Sequence, residues 1–154
     1  MPPSANIRAV AWRVLRCAAP LAVIVLLTTW PWRFQDHAHW DGVEWVPFTR
    51  YVRARDWIAN IGLFIPLGAA YAWRGQGRRL IWQAAIAGLA CSLAVELAQV
   101  FMHGRAPTVA DLIANTAGAW LGARWAIGRS RSGTNASEPG PEPAAAGSPG
   151  GPVR

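Results

Sequence analysis

The segment from Glu96 to Asn115, ELAQVFMHGRAPTVADLIAN, holds the polar groups of this sequence that could bind or react with a ligand. Glu96 is an acid deep in an apolar run, and a charge at mid-membrane depth costs roughly 2.5 to 3.5 kcal/mol on insertion scales. We therefore expect this acid either to pair with another polar group or to have a functional role. Asp111 and Asn115 follow a short turn, and Arg105 in that turn is the predicted cation for Glu96 or Asp111, because two nearby carboxylates need one.

Helical spacing predicts that these side chains face one another. Glu96 and Gln99 are three residues apart on a third helix, and Asp111 and Asn115 are four apart on a fourth, so each pair shares a face. Glu96 and Asn115 lie at comparable depth, about 10 Å below one surface at roughly 1.5 Å per residue. The predicted polar crevice is lined by Asn60, Glu96, Gln99, Arg105, Asp111 and Asn115.

A purely structural role is the alternative for each of these residues. Thr108 and Asp111 have the spacing of a capping box, with Asp in place of the usual Glu. Asn60 and Asn115 could serve only as interhelical hydrogen bonds, worth around 0.6 kcal/mol each in membrane helices. Glu96 could be protonated and hold helices together. Convergence of all six residues on one side at one depth favours a functional cavity.

The composition indicates a small polytopic membrane protein. Of the 154 residues 53% are hydrophobic and 15% charged, which is too apolar for a soluble domain of this length. Every cationic side chain is arginine, and the arginines punctuate apolar runs rather than cluster, which argues against nucleic acid as a partner. Cys17 and Cys91 give neither a disulfide framework nor a metal spacing. His37 and His39 with Asp36 lack a zinc pattern, so no metal and no cofactor is expected.

The predicted fold is an all-α membrane protein with four transmembrane helices. The first span follows a basic cytoplasmic leader, residues 1–16, and is predicted to remain uncleaved, because Trp-Pro-Trp-Arg follows it where a peptidase needs small residues. Asp56 is placed to cap the second span. The spans cover about 17–30, 57–73, 80–103 and 108–127, and a disordered tail rich in Ser, Gly, Pro and Ala covers 129–154. Small residues predicted to allow close helix packing are Gly62, Gly68, Gly118 and Gly122.

The one sizeable polar connection, residues 31–56, is predicted to lie at the membrane interface. Asp41-Gly42 reads as a tight turn between two short segments. Aromatic residues typical of an interface are Trp40, Trp45, Phe48 and Tyr51.

The distribution of arginines favours both termini in the cytoplasm. The arginines on the side of the termini and of the turn between the second and third spans include Arg8, Arg13, Arg16, Arg74, Arg78, Arg79, Arg124, Arg129 and Arg131. Five fall on the opposite side: Arg33, Arg50, Arg53, Arg55 and Arg105. The polar crevice would then open outward.

An ordered set of motifs resembles the VanZ-like family of small bacterial membrane proteins over roughly residues 17–128. The set comprises EWVPF, NIGLFIPLG from Asn60 to Gly68, E-x-x-Q at Glu96 and Gln99, Arg105, and D-x-x-x-N-x-x-G from Asp111 to Gly118. The resemblance implies a bacterial plasma-membrane protein of the cell envelope, associated with teicoplanin resistance, and it implies no particular reaction.

Three functions follow as hypotheses. The first is a non-enzymatic envelope protein whose crevice binds a lipid head group, a lipid-linked cell-wall precursor or a glycopeptide, with Arg105 pairing to an anionic group. The second is a membrane enzyme acting on a lipid-linked substrate with Glu96 or Asp111 as general base. The third is a structural protein whose glycine face at Gly118 and Gly122 seats a membrane-protein partner or a second copy of the chain.

Overall fold

The structure, a computed structural model, is all-helical in the parts of the chain that it describes, residues 5–47 and 54–135. The four helices are α1 (Ala5–Thr29), α2 (Ala54–Ala72), α3 (Arg78–Gln99) and α4 (Val109–Asn135), and a short 3₁₀ turn spans Trp40–Gly42. The predictions for Phe48, Arg50, Tyr51, Arg53 and the chain from 136 onward lie outside the described residues.

The helix boundaries differ from the sequence prediction at several ends. The first helix begins at Ala5, so the residues predicted as a leader extend the helix. The third ends at Gln99 rather than at His103, because the backbone after Gln99 turns to pair with the first loop. The fourth continues to Asn135, past the predicted start of the tail at 129. The second begins at Ala54, which places Asp56 in its first turn rather than at the cap.

Small residues let α2 and α4 pack backbone against backbone. A Cβ at Gly118 would overlap the carbonyl oxygen of Ile61, one at Gly122 that of Ile65, and one at Gly68 that of Ala119. The two helices therefore run parallel and touch along the face that Gly118 and Gly122 present.

Two of the glycine predictions need correction. Nothing lies within 4 Å of a Cβ at Gly62, so this residue does not mediate close packing. The third hypothesis places another protein on the Gly118 and Gly122 face, but in the structure α2 packs against this face. A contact that the sequence did not single out is Gly88 of α3, where a Cβ would overlap the Cβ of Ala119.

Helix α1 completes the bundle against α2 and α3. Its buried side chains Cys17 and Ile24 form one cluster with Phe64 and Leu67 of α2 and Val95 of α3. The remainder of α1 exposes its apolar side chains, among them Leu27 at 64%. An exposed apolar surface of this extent suits a lipid environment.

Two of the described helices are long and apolar enough to cross a membrane, namely Ile7–Thr29 with mean hydropathy 1.9 and Arg78–Gln99 with mean hydropathy 1.7. Length and composition alone define this property.

The first loop, residues 30–47, is tied to the turn between α3 and α4, residues 100–108, by backbone hydrogen bonds. The N–H groups of Gln35 and His39 donate to Phe101 and Val100, and the N–H of His103 donates to Arg33. At the other end of the loop the Glu44 N–H donates to Pro107, while the Val109 N–H donates to Glu44. The segments on either side of the Asp41-Gly42 turn thus pair with this second turn rather than with each other.

Candidate functional site

A polar cavity of about 490 Å³ opens where the C-terminal ends of α1 and α3 meet the N-terminal ends of α2 and α4. Its lining includes all six predicted side chains: Asn60, Glu96, Gln99, Arg105, Asp111 and Asn115. Glu96, Gln99 and Asn115 are buried, whereas Arg105 is exposed at the rim. The helical spacing and the hairpin of α3 and α4 therefore bring these residues together as the sequence predicts.

Glu96 holds the first turn of α4. Its Oε2 accepts a hydrogen bond of 3.0 Å from the backbone N–H of Thr108, the residue that precedes the helix. An acid near the C-terminal end of its own helix is disfavoured by the helix dipole. At this position the interaction with the start of the next helix offsets that cost, since a helix N-terminus favours negative charge.

Thr108 and Asp111 form half of the predicted capping box. The Thr108 hydroxyl accepts from the Asp111 N–H at 3.0 Å, as an N-cap does. The reciprocal bond from the Thr108 N–H goes to Glu96 instead of to Asp111. The Asp111 carboxylate is free to accept from the side-chain amide of Asn60, which joins α2 to α4.

The other two amides also join helices. Gln99 Nε2 donates to the backbone oxygen of Thr28 at 3.0 Å, which links α3 to α1. Asn115 Nδ2 bonds to the Ser92 hydroxyl at 2.8 Å, which links α4 to α3. Asn115 is only 4% exposed, and its Oδ1 has no hydrogen-bond partner within the described chain. This oxygen is enclosed by the protein, and a buried carbonyl without a partner carries a cost in stability.

Arg105 does not pair with an acid in the way the sequence predicts. Its guanidinium donates to the backbone oxygen of Trp30, at the end of α1. Within residues 7–47 and 54–130, the one side-chain ion pair is the exposed contact of Arg55 with Asp56. Arg105 therefore fastens the α3–α4 turn to the first loop while remaining at the cavity rim.

Two polar residues of the site were missed in the sequence. Asp56 lines the cavity four residues before Asn60, and Ser92 binds Asn115 from four residues before Glu96. The same helical spacing that grouped the other residues would have found both. The contact of Gln99 with the backbone oxygen of Thr28 could not have been predicted, because it does not depend on the side chain of residue 28.

Comparison with protein-family models gives a match to the VanZ/LLP1 model over residues 15–127, which is more than half of the chain. The chain belongs to the VanZ/LLP1 family. The match includes α1 from residue 15, all of α2 and α3, and α4 to residue 127, so every residue that lines the polar cavity lies within the VanZ/LLP1 region. Searches of curated proteins and of solved structures give no significant match.

Membership of the VanZ/LLP1 family and two apolar helices of spanning length fit a membrane protein of the cell envelope. The family assignment confirms the resemblance drawn from the motifs. The assignment of individual residues to ligand binding stays a prediction.

Proposed function

We propose that the protein crosses the plasma membrane four times, with both termini in the cytoplasm, and binds the head group of an amphiphile in the outward-facing polar cavity. The amphiphile is a membrane lipid, a lipid-linked cell-wall precursor or a glycopeptide, and binding requires no covalent step. The observation that carries this proposal is the cavity of about 490 Å³ to which three helices each supply polar side chains.

The length and surface of the remaining two helices support four crossings. Helix α2 has 19 residues, or about 28 Å at 1.5 Å per residue, which is close to the thickness of a bilayer core. It exposes Ile58 and Ile65, and α4 exposes Ile113, Leu121 and Trp125. Side chains of this kind on the outside of a bundle suit contact with lipid tails.

The aromatic side chains of the first loop support binding at the membrane surface. Trp30, Trp32, Trp40 and Trp45 are each at least half exposed, and they lie on the loop beside the cavity. Exposed tryptophan is typical of the interface between acyl chains and water. An amphiphile in the membrane would meet this loop and the cavity rim together.

Replacement of Arg105 is expected to weaken ligand binding through the loop. Arg105→Ala removes the bond to Trp30 and a rim cation, so we expect about a tenfold loss of affinity for the lipids that co-purify with the protein, as for one charge-assisted hydrogen bond. Lipid mass spectrometry of the purified full chain measures the effect.

Arg33→Ala is the matched control, since Arg33 is an exposed arginine of the first loop that does not line the cavity. Equal lipid content in Arg105→Ala, Arg33→Ala and the unaltered protein would count against the proposed role of this rim.

A contribution to teicoplanin tolerance is part of the proposal and rests on the family resemblance. Expression of the chain in a sensitive bacterium should raise the inhibitory concentration of teicoplanin, and a cavity variant such as Asn115→Leu should remove the increase. An unchanged inhibitory concentration, with the intact protein present in the membrane, would contradict a contribution of this protein to teicoplanin tolerance.

A further inference from the structure

We propose that a cleft between α1, α2 and α3 binds one anionic phospholipid, with the lipid phosphate on Arg13 and an acyl chain inside the cleft. The cleft follows α1 from Val10 to Leu21, whereas the polar cavity meets the same helix at Leu27 and Thr28. The inference therefore concerns a second site and does not depend on the function proposed for the polar cavity.

The cleft has the dimensions of a single acyl chain. From Val10 to Leu21 it extends about 16 Å at 1.5 Å per residue, which is close to half of the 30 Å hydrocarbon core of a bilayer. Its volume of about 390 Å³ over that length leaves a cross-section of roughly 24 Å², against roughly 80 Å² for a helix 10 Å across. A hydrocarbon chain from one leaflet fits this space, and a helix does not.

The lining of the cleft is apolar and open to the surroundings of the bundle. Apart from Arg13 and Tyr71 it consists of aliphatic side chains and Cys17. Val10 and Val14 on the α1 wall are 59% and 64% exposed, whereas Cys17, further along the same wall, is buried. An acyl chain can therefore enter sideways from the membrane without passing through the bundle.

Arg13 supplies a cation with free N–H groups to this cleft. Its guanidinium carbon lies 5.0 Å from the centre of the Tyr71 ring, and the side chain has neither an acidic nor a hydrogen-bond partner among the described residues. A guanidinium held over an aromatic face keeps the N–H groups at its edge available. Two of these N–H groups match a phosphate in a bidentate contact.

Tryptophans place Arg13 at the depth of lipid head groups. Trp12 precedes Arg13 on α1, and Trp73 follows Tyr71 by two residues at the end of α2. Both tryptophans are exposed, as is typical of the interface between acyl chains and water. A lipid whose chain lies in the cleft would have its phosphate near this level.

The charge at this end of the bundle favours an anion. The other arginines of this end include Arg8 and Arg16 on α1 and Arg74, Arg78 and Arg79 at the α2–α3 turn. The described acidic residues lie in the first loop or near the helix ends that border it, namely Asp36, Asp41, Glu44, Asp56, Glu96 and Asp111. A phospholipid with a net negative charge is attracted to such a surface more strongly than a zwitterionic one.

Native mass spectrometry of the full chain in neutral detergent tests the inference, with dioleoyl phosphatidylglycerol and dioleoyl phosphatidylcholine as probes. The two lipids have the same acyl chains and differ in net charge. We expect the first to bind about tenfold more tightly, as for one charge-assisted hydrogen bond. Equal affinity for the two lipids overturns the inference.

Two arginine variants locate the head group. Arg13→Gln removes the guanidinium from the cleft and should abolish the preference for phosphatidylglycerol. Arg16→Gln is the matched control, because Arg16 is an exposed arginine of the same helix that does not line the cleft, and it should keep the preference. Equal losses in the two variants would assign the lipid to the basic surface as a whole and overturn the site.

Two alanine variants locate the acyl chain. Ala87→Phe fills the cleft from α3, and losing the burial of two methylene groups is enough to weaken phosphatidylglycerol binding about tenfold. Ala90→Phe adds the same ring at an exposed alanine of α3 outside the cleft and should bind normally. Thermal unfolding checks that each variant is folded, and the arginine pair decides the inference even if Ala87→Phe does not fold.

The same spectra report the alternative occupant, a second copy of the chain. Unchanged phosphatidylglycerol binding in a folded Ala87→Phe variant would exclude the acyl chain from the cleft and overturn the inference. A dimer that Ala87→Phe dissociates, without any preference for phosphatidylglycerol, would make the cleft an interface between two copies and overturn it as well.

Discussion

Gly122→Ala is expected to destabilise the bundle by about 3 kcal/mol, although a single methyl group is all that it adds. The added Cβ would overlap the carbonyl oxygen of Ile65 and approach the backbone N of Ala69, and neither atom can move without displacing α2. Because interiors are packed without spare volume, the helices must separate. Thermal unfolding of the purified chain in detergent, followed by size-exclusion chromatography, measures the loss.

Gly62→Ala is the matched control for this prediction. Gly62 is also a glycine in a helix, but nothing lies within 4 Å of its Cβ position. Alanine at an open helical site is usually more favourable than glycine by about 0.8 to 1 kcal/mol, so this variant should be no less stable than the unaltered chain. Equal losses in Gly62→Ala and Gly122→Ala would mean that the packing of α2 on α4 is not the one described.

Glu96→Leu is expected to cost about 1 to 3 kcal/mol of stability and to abolish ligand binding. The leucine leaves the N–H of Thr108 without an acceptor at the start of α4, and an unsatisfied donor in a partly buried site carries a penalty of that size. Thermal unfolding and a binding assay on the same preparation measure both effects.

Glu96→Gln separates the structural contribution from the binding contribution. The glutamine keeps an oxygen that can accept from Thr108 and loses the charge. We expect stability close to that of the unaltered protein together with weakened ligand binding. If Glu96→Leu were as stable as Glu96→Gln, the bond across the α3–α4 turn would have no part in holding the fold.

The arrangement of the cavity side chains was accessible from sequence because it depends on helical spacing. Glu96 with Gln99 and Asp111 with Asn115 fall on shared faces of two helices joined by a short turn, which fixes them at one end of the bundle. Asn60 joins them because it lies near the start of α2, at the same end. The grouping of these side chains at one end of the bundle does not depend on the exact rotation of each helix about its own axis.

The hydrogen-bond partners of individual side chains could not be predicted from the sequence in the same way. Arg105 is long and exposed, so its partner depends on the path of the first loop, which the sequence marked only as polar and interfacial. The Thr108 N–H could equally have been capped by Asp111, and only the approach of α3 gives it to Glu96.

The glycines illustrate the same limit. Spacing of four residues identifies Gly118 and Gly122 as a small face, but does not say whether α2 or another protein covers it. Gly62 and Gly68 are both small residues of α2, yet a Cβ would overlap a neighbour only at Gly68. The packing of all four helices together determines which face of each helix is buried.

The direct test of an outward-facing cavity is cysteine labelling in intact cells with a maleimide that cannot cross the membrane. In a chain with Cys17→Ala and Cys91→Ala, Ala106→Cys places a thiol at the exposed cavity rim and Gln76→Cys places one in the exposed turn between α2 and α3. We predict that the first variant reacts before the cells are opened and the second only afterwards. Labelling of Gln76→Cys in intact cells, with Ala106→Cys protected until the cells are opened, would put the cavity on the cytoplasmic side and contradict the proposed function.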